Sequence, residues 1–131
     1  MEIRRFDLDA QGLARVLGEL EAKILEAVWS LQQPTVRDVT DWLGPGAHVK
    51  TTMTVMNRMV EKGLLHRERH GRAFCYEPVA ERESFMAQIA ARVLASLMTD
   101  FPRPTVAYFL DTANAEQLAE LEDLLRSRRH D

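Results

Sequence analysis

Leu20, Ile24, Leu25, Val28 and Leu31 recur every three or four positions and predict an amphipathic helix over about residues 18–31. Gln32-Gln33-Pro34 stops it. Thr35-Val36-Arg37-Asp38 then carries a capping-box pattern, in which Thr35 satisfies a free N–H at the start of the next helix. Val36, Val39, Trp42 and Leu43 form the apolar face of that short helix, and Gly44-Pro45-Gly46 ends it. A third helix is predicted from about 49 to 62, closed by Gly63. Two short β-like runs follow, 64–69 and 73–77, joined at His70-Gly71-Arg72 and ended by Pro78. Helix, helix, helix and hairpin in that order is the plan of a winged helix.

Beyond residue 80 the pattern changes. Phe85, Ile89, Val93, Leu94, Leu97 and Met98 stripe a long helix from about 80 to 99, which Phe101-Pro102-Arg103-Pro104 breaks. Val106, Phe109 and Leu110 predict a short helix, and Asn114 caps another with Leu118, Leu121, Leu124 and Leu125 on one face. Helices this few and this short close no core alone, and no cysteine or metal staple is present. Their stripes are therefore expected to meet a second copy through Phe85, Ile89, Val93, Leu97, Val106, Phe109, Leu118, Leu121 and Leu125. The alternative is that these helices fold back on residues 1–80.

The expected fold is mainly α with a small β-hairpin wing: a winged helix-turn-helix domain plus a C-terminal helical dimerisation region. An arm or short extra helix occupies residues 1–16, the DNA-binding domain 17–79 and the dimerisation region 80–131.

The third helix separates into two faces. At 100° per residue Val49, Thr52, Met53, Met56, Met59 and Val60 gather inward. Lys50, Thr51, Thr54, Asn57, Arg58, Glu61 and Lys62 gather outward. The outward set is suited to a major groove: threonine methyls meet thymine methyls, asparagine pairs with adenine, and arginine or lysine bonds guanine or phosphate. On the hairpin, Arg67 and Arg69 alternate toward one side and Arg72 lies just past the turn glycine, placed for phosphates or a narrow minor groove.

Charge sharpens this picture. The whole chain of 131 residues carries a net −3, which taken alone disfavours nucleic acid. Between His48 and Arg72, however, six basic residues face two acidic ones, a local +4, while 111–125 holds five acidic residues and no basic one. Separation of this kind is an electrostatic footprint for DNA.

Other chemistry is poorly represented. Serines 30, 84, 96 and 127 lack a histidine or glycine-elbow context, and no phosphate-binding loop occurs, so an enzyme is not expected. His48, His66 and His70 lack the cysteine or acidic neighbours of a zinc site, and no metal or cofactor is expected. Cys75 stands alone, as a half-buried strand residue or a redox sensor. There is no apolar run of about 18 residues for a membrane span and no apolar leader, so a cytoplasmic location is expected. Two rivals to an operator-binding repressor share this fold: a winged-helix module for protein–protein assembly, and a repressor released by a small molecule.

Several blocks together resemble the penicillinase-repressor (methicillin-resistance repressor) family. They are Gly18-Glu19-Leu20-Glu21, Val28-Trp29, Thr35-Val36-Arg37-Asp38-Val39 and Thr51-Thr52-Met53-Thr54-Val55-Met56-Asn57-Arg58. Glu61-Lys62-Gly63-Leu64-Leu65 and Gly71-Arg72-Ala73-Phe74-Cys75-Tyr76-Glu77-Pro78 continue the series, and the similarity spans about 17–125. The resemblance implies a homodimeric winged-helix repressor on a dyad-symmetric operator, in its own promoter region or upstream of an antibiotic-resistance gene. It further implies release by cutting at a polar residue followed by Phe, triggered by a membrane β-lactam receptor with a metalloprotease domain. Asp100-Phe101 is the corresponding position, with Pro102 a departure. Val49-Lys50 departs from the Tyr-Thr of many members, so the family's operator sequence does not carry over. The Cys-x-Cys motifs of the copper-responsive branch are absent.

Overall fold

A computed structural model describes residues 3–129 of the chain. After a single 3-10 turn at Gly12–Arg15 come α1 (Glu19–Leu31), α2 (Val36–Leu43) and α3 (Val49–Glu61). An antiparallel hairpin follows, β1 (Leu65–His70) with β2 (Ala73–Pro78), then α4 (Arg82–Asp100), α5 (Pro102–Thr112) and α6 (Ala115–Arg129). The winged-helix order predicted from periodicity is the order observed, and the chain is mostly helical.

Local chemistry sets the element ends. The Asp38 N–H donates to Thr35 Oγ1 at 3.1 Å and the Thr35 N–H to Asp38 Oδ2 at 3.0 Å, the reciprocal box that starts α2. Asn114 and Gln117 make the same exchange at the head of α6. The hairpin register pairs His70 with Ala73, leaving Gly71 and Arg72 as a two-residue loop. Gly71 has φ +67°, a conformation that this tight turn demands and that costs glycine little. The break after α1 is less usual: Gln32 and Gln33 both take positive φ before Pro34.

The chain divides into two compact units, the first ending at Ile89 and the second beginning at Ala90. The first has a continuous core in which Ile24, Leu25 and Val28 of α1 meet Val39 of α2, Met56 and Met59 of α3, and Leu65 and Tyr76 of the hairpin. Within residues 3–16, read as an arm or short extra helix, the 3-10 turn lies at Gly12–Arg15; Leu13 and Val16 are buried in this core, and the Asp7 N–H bonds the Arg15 carbonyl at 2.7 Å. The boundary falls inside α4 rather than at 79/80, because the start of α4 is fixed to α1. Phe85 is only 4% exposed and packs edge-on against Trp29, with ring centroids 5.7 Å apart. The Arg82 guanidinium lies over that indole at 4.8 Å and pairs with Glu26, while Trp29 Nε1 donates to the Ala80 carbonyl.

The second unit is different in kind. Neither α5 nor α6 contains a buried residue, and Leu94, Leu97, Met98, Val106, Phe109, Leu110, Leu124 and Leu125 are all exposed.

Candidate nucleic-acid interface

α3 presses Thr52, Met56 and Met59 into the core and turns Lys50, Thr51, Thr54, Arg58 and Glu61 to solvent. Two residues assigned inward from the helical wheel are corrected: Val49 is 42% and Met53 44% exposed. Met53 lies at the margin of the apolar arc, and Val49 is the first residue of α3. Thr54 Oγ1 donates to the Lys50 carbonyl at 3.0 Å, so its hydroxyl is spent within the helix.

The wing continues this surface. Arg67 stacks over the exposed Phe74 ring at 4.5 Å and Arg69 at 5.9 Å, which places both guanidinium groups on one side of the hairpin. Arg69 Nε also donates to the Gly71 carbonyl at 3.1 Å, and Arg72 is exposed in the loop. Phe74 escaped the sequence reading, although its register opposite Arg69 is the signal that finds it. Asn57, half-buried in α3, is tied to the wing: its Oδ1 accepts from Arg67 Nη1 and from the Tyr76 hydroxyl, each at 2.9 Å.

Lys62 points to a different partner. Its ammonium bonds Glu21 Oε2 at 2.9 Å, while Glu21 Oε1 accepts the Gly18 N–H at 3.1 Å. Burial raises the Glu21 pKa, but the Lys62 hydrogen bond, the Gly18 N–H and the fields of Lys62 and Arg58 outweigh it and hold the carboxyl below its ordinary value. Lys62, an expected DNA contact, is thereby engaged with α1 while its side chain stays half exposed.

The residues assigned to dimerisation fall into two sets. Phe85 is buried in the first unit's core and Ile89 packs against it. Leu97, Val106, Phe109 and Leu125 are exposed in the second unit, with Val93, Leu118 and Leu121 half-buried. Asp100 ends α4, and Phe101, 56% exposed, is the N-cap of α5. Among the described residues no cluster of three metal-ligating side chains occurs, and no helix is long and apolar enough to cross a membrane.

Comparison with known proteins bears on what this surface serves. The family model of the penicillinase repressor matches residues 17–127. The transcriptional regulator BlaI of Mycobacterium tuberculosis is 32% identical over 117 residues, covering 81% of this chain and 85% of that protein. An uncharacterised 16.5 kDa protein of Latilactobacillus sakei is 29% identical over 112 residues, covering 82% and 77%. Among solved structures, the monomeric form of Bacillus licheniformis BlaI in complex with the blaP half-operator superposes with a TM-score of 0.45 at 23% identity, covering 52% of this chain and 85% of that one. The family comprises transcriptional regulators, not enzymes. With the match spanning the wing domain and the helices beyond it, the chain belongs to the penicillinase repressor family of DNA-binding transcriptional repressors.

Proposed function

We propose that the protein acts as a homodimer that occupies a dyad-symmetric operator and silences transcription by steric exclusion. The observation that carries this reading is one basic surface built from two elements. Lys50, Thr51, Thr54 and Arg58 line the exposed face of α3, and Arg67, Arg69 and Arg72 line the wing. α3 would enter the major groove while the wing arginines take phosphates or the adjacent minor groove. A protein–protein assembly module has no need of such a cationic surface.

The unburied apolar faces of α4, α5 and α6 support pairing of two copies. Pairing places half-sites about one or more helical turns, roughly 10 bp each, apart. Release would follow cutting at Asp100-Phe101, which sits in the break between α4 and α5 with Phe101 exposed. The reading extends to control of a β-lactam or other antibiotic-resistance gene, a membrane sensor-protease as partner, and work in the cytoplasm.

The test is titration of the purified protein into a labelled duplex of its own upstream region, against random competitor, at two salt concentrations. Tight binding that weakens steeply with salt and survives the competitor is expected. No binding even at low salt overturns the reading.

A further inference from the structure

We propose that Asn57 is a positioning residue that joins the reading helix to the wing, and that its occupied oxygen bars it from pairing with adenine. This rests on the DNA-binding assembly argued above and deepens it.

An amide oxygen has two lone pairs. In Asn57 both are used, one by the Tyr76 hydroxyl and one by Arg67 Nη1, each at 2.9 Å. A guanidinium only donates, so the atom facing Arg67 is the oxygen and the amide's orientation is fixed. One of the two partners is itself immobile: Tyr76 is 1% exposed, and its N–H bonds the Pro34 carbonyl at 2.9 Å. The other is braced from beyond, since Arg67 rests on the Phe74 ring at 4.5 Å. A continuous chain of contacts thus runs from the core through Tyr76 and Asn57 to Arg67 and Phe74.

Two consequences follow. Asparagine reads adenine by accepting from N6–H and donating to N7 at once. Asn57 keeps only its two N–H donors, which suit N7 of either purine, guanine O6, thymine O4 or a phosphate and give no bidentate grip that selects adenine. The second consequence concerns register. Held by Asn57, Arg67 stands at a set distance from Lys50, Thr54 and Arg58, so helix and wing meet the duplex as one rigid piece.

The experiment measures the salt slope of binding for the full chain on its upstream duplex. Each phosphate contact contributes about 0.9 to that slope. Asn57→Ala removes no charge, yet is expected to lower the slope by about one contact, as Arg67→Ala does, and the double variant falls no further. A plain base-reading or core role shifts affinity or Tm and leaves the slope at the wild-type value, which overturns the proposal. Should Asn57→Ala fail to fold, Asn57→Leu with Tyr76→Phe, which orphans no hydroxyl, is expected to show the same lost contact. In selection from randomised duplexes, wild-type selection of adenine over guanine at a step that Asn57→Ala loses overturns the second half. Absence of salt-dependent binding by the wild type overturns the DNA-binding reading and this proposal together. Wild-type binding with an unchanged Asn57→Ala slope overturns this proposal alone.

Discussion

Glu21 shows how a single carboxyl couples the start of one helix to the end of another. It caps the Gly18 N–H and holds Lys62 at the end of α3, and these partners hold its pKa below the ordinary value despite burial. A carboxyl that binds its proton less tightly when folded stabilises the fold above its unfolded pKa of about 4.3. That contribution disappears as pH falls through the folded value. The urea midpoint of wild type should therefore exceed that of Glu21→Gln most above the unfolded pKa, with the gap closing as pH falls through the lowered folded value. A gap that is constant with pH contradicts the role. Lys62 is half exposed, so solvent screening keeps the effect modest. Arg58, exposed on α3, is proposed for the reading surface instead. Arg58→Ala is expected to weaken operator binding by about 1–3 kcal/mol and to flatten the preference at one base pair. Competition with singly substituted duplexes measures both, and unchanged affinity removes Arg58 from the interface.

Elements differ in how well their own sequence announces them. α2 and α6 were legible because Thr35 with Asp38, and Asn114 with Gln117, act within four residues of chain. The wing was legible from Gly71 and the alternation around it. What escaped depends on contacts from afar. The wheel places Met53 and Val49 within the apolar set, yet both stay exposed in the folded chain. Asn57 reads as a free polar side chain until β1 and β2 bring Arg67 and Tyr76 to it. Phe85 reads as part of one continuous stripe, whereas Trp29, more than fifty positions earlier, claims it for the first unit. Phe85→Ala should accordingly cost about 3–5 kcal/mol through the cavity it leaves. Chemical denaturation followed at several protein concentrations is the check. A loss that depends on concentration would return Phe85 to a subunit interface.

For the whole molecule, the contrast between the two units is the main physical fact. The first encloses Ile24, Val28, Val39, Met56 and Met59 fully, while α5 and α6 bury nothing. Apolar surface left in water on this scale marks an interaction site. Phe109→Glu with Leu121→Glu is expected to yield a folded monomer by sedimentation. Its operator affinity should fall by at least tenfold, because two linked half-sites bind with an avidity that separate ones lack. A double variant that remains dimeric and binds as before sets these faces aside. The charge asymmetry pointed to the basic surface from sequence alone, since clustering of Lys50, Arg58, Arg67, Arg69 and Arg72 needs only the order of elements. How the wing arginines are held was hidden, because that depends on strand register.

The lock of Arg82 and Phe85 on Trp29 also gives the protein an optical signal of its own. Its two tryptophans sit in unlike surroundings: Trp29 between a guanidinium and an edge-on ring, Trp42 exposed at the end of α2 beside the turn into α3. Replacing Trp42 by Phe leaves an emission that reports departure of the first turns of α4 from α1. Replacing Trp29 by Phe leaves one that reports on the end of α2 and the turn into α3. Events at the two positions can then be timed separately, without a dye, in matched stopped-flow experiments on the two variants.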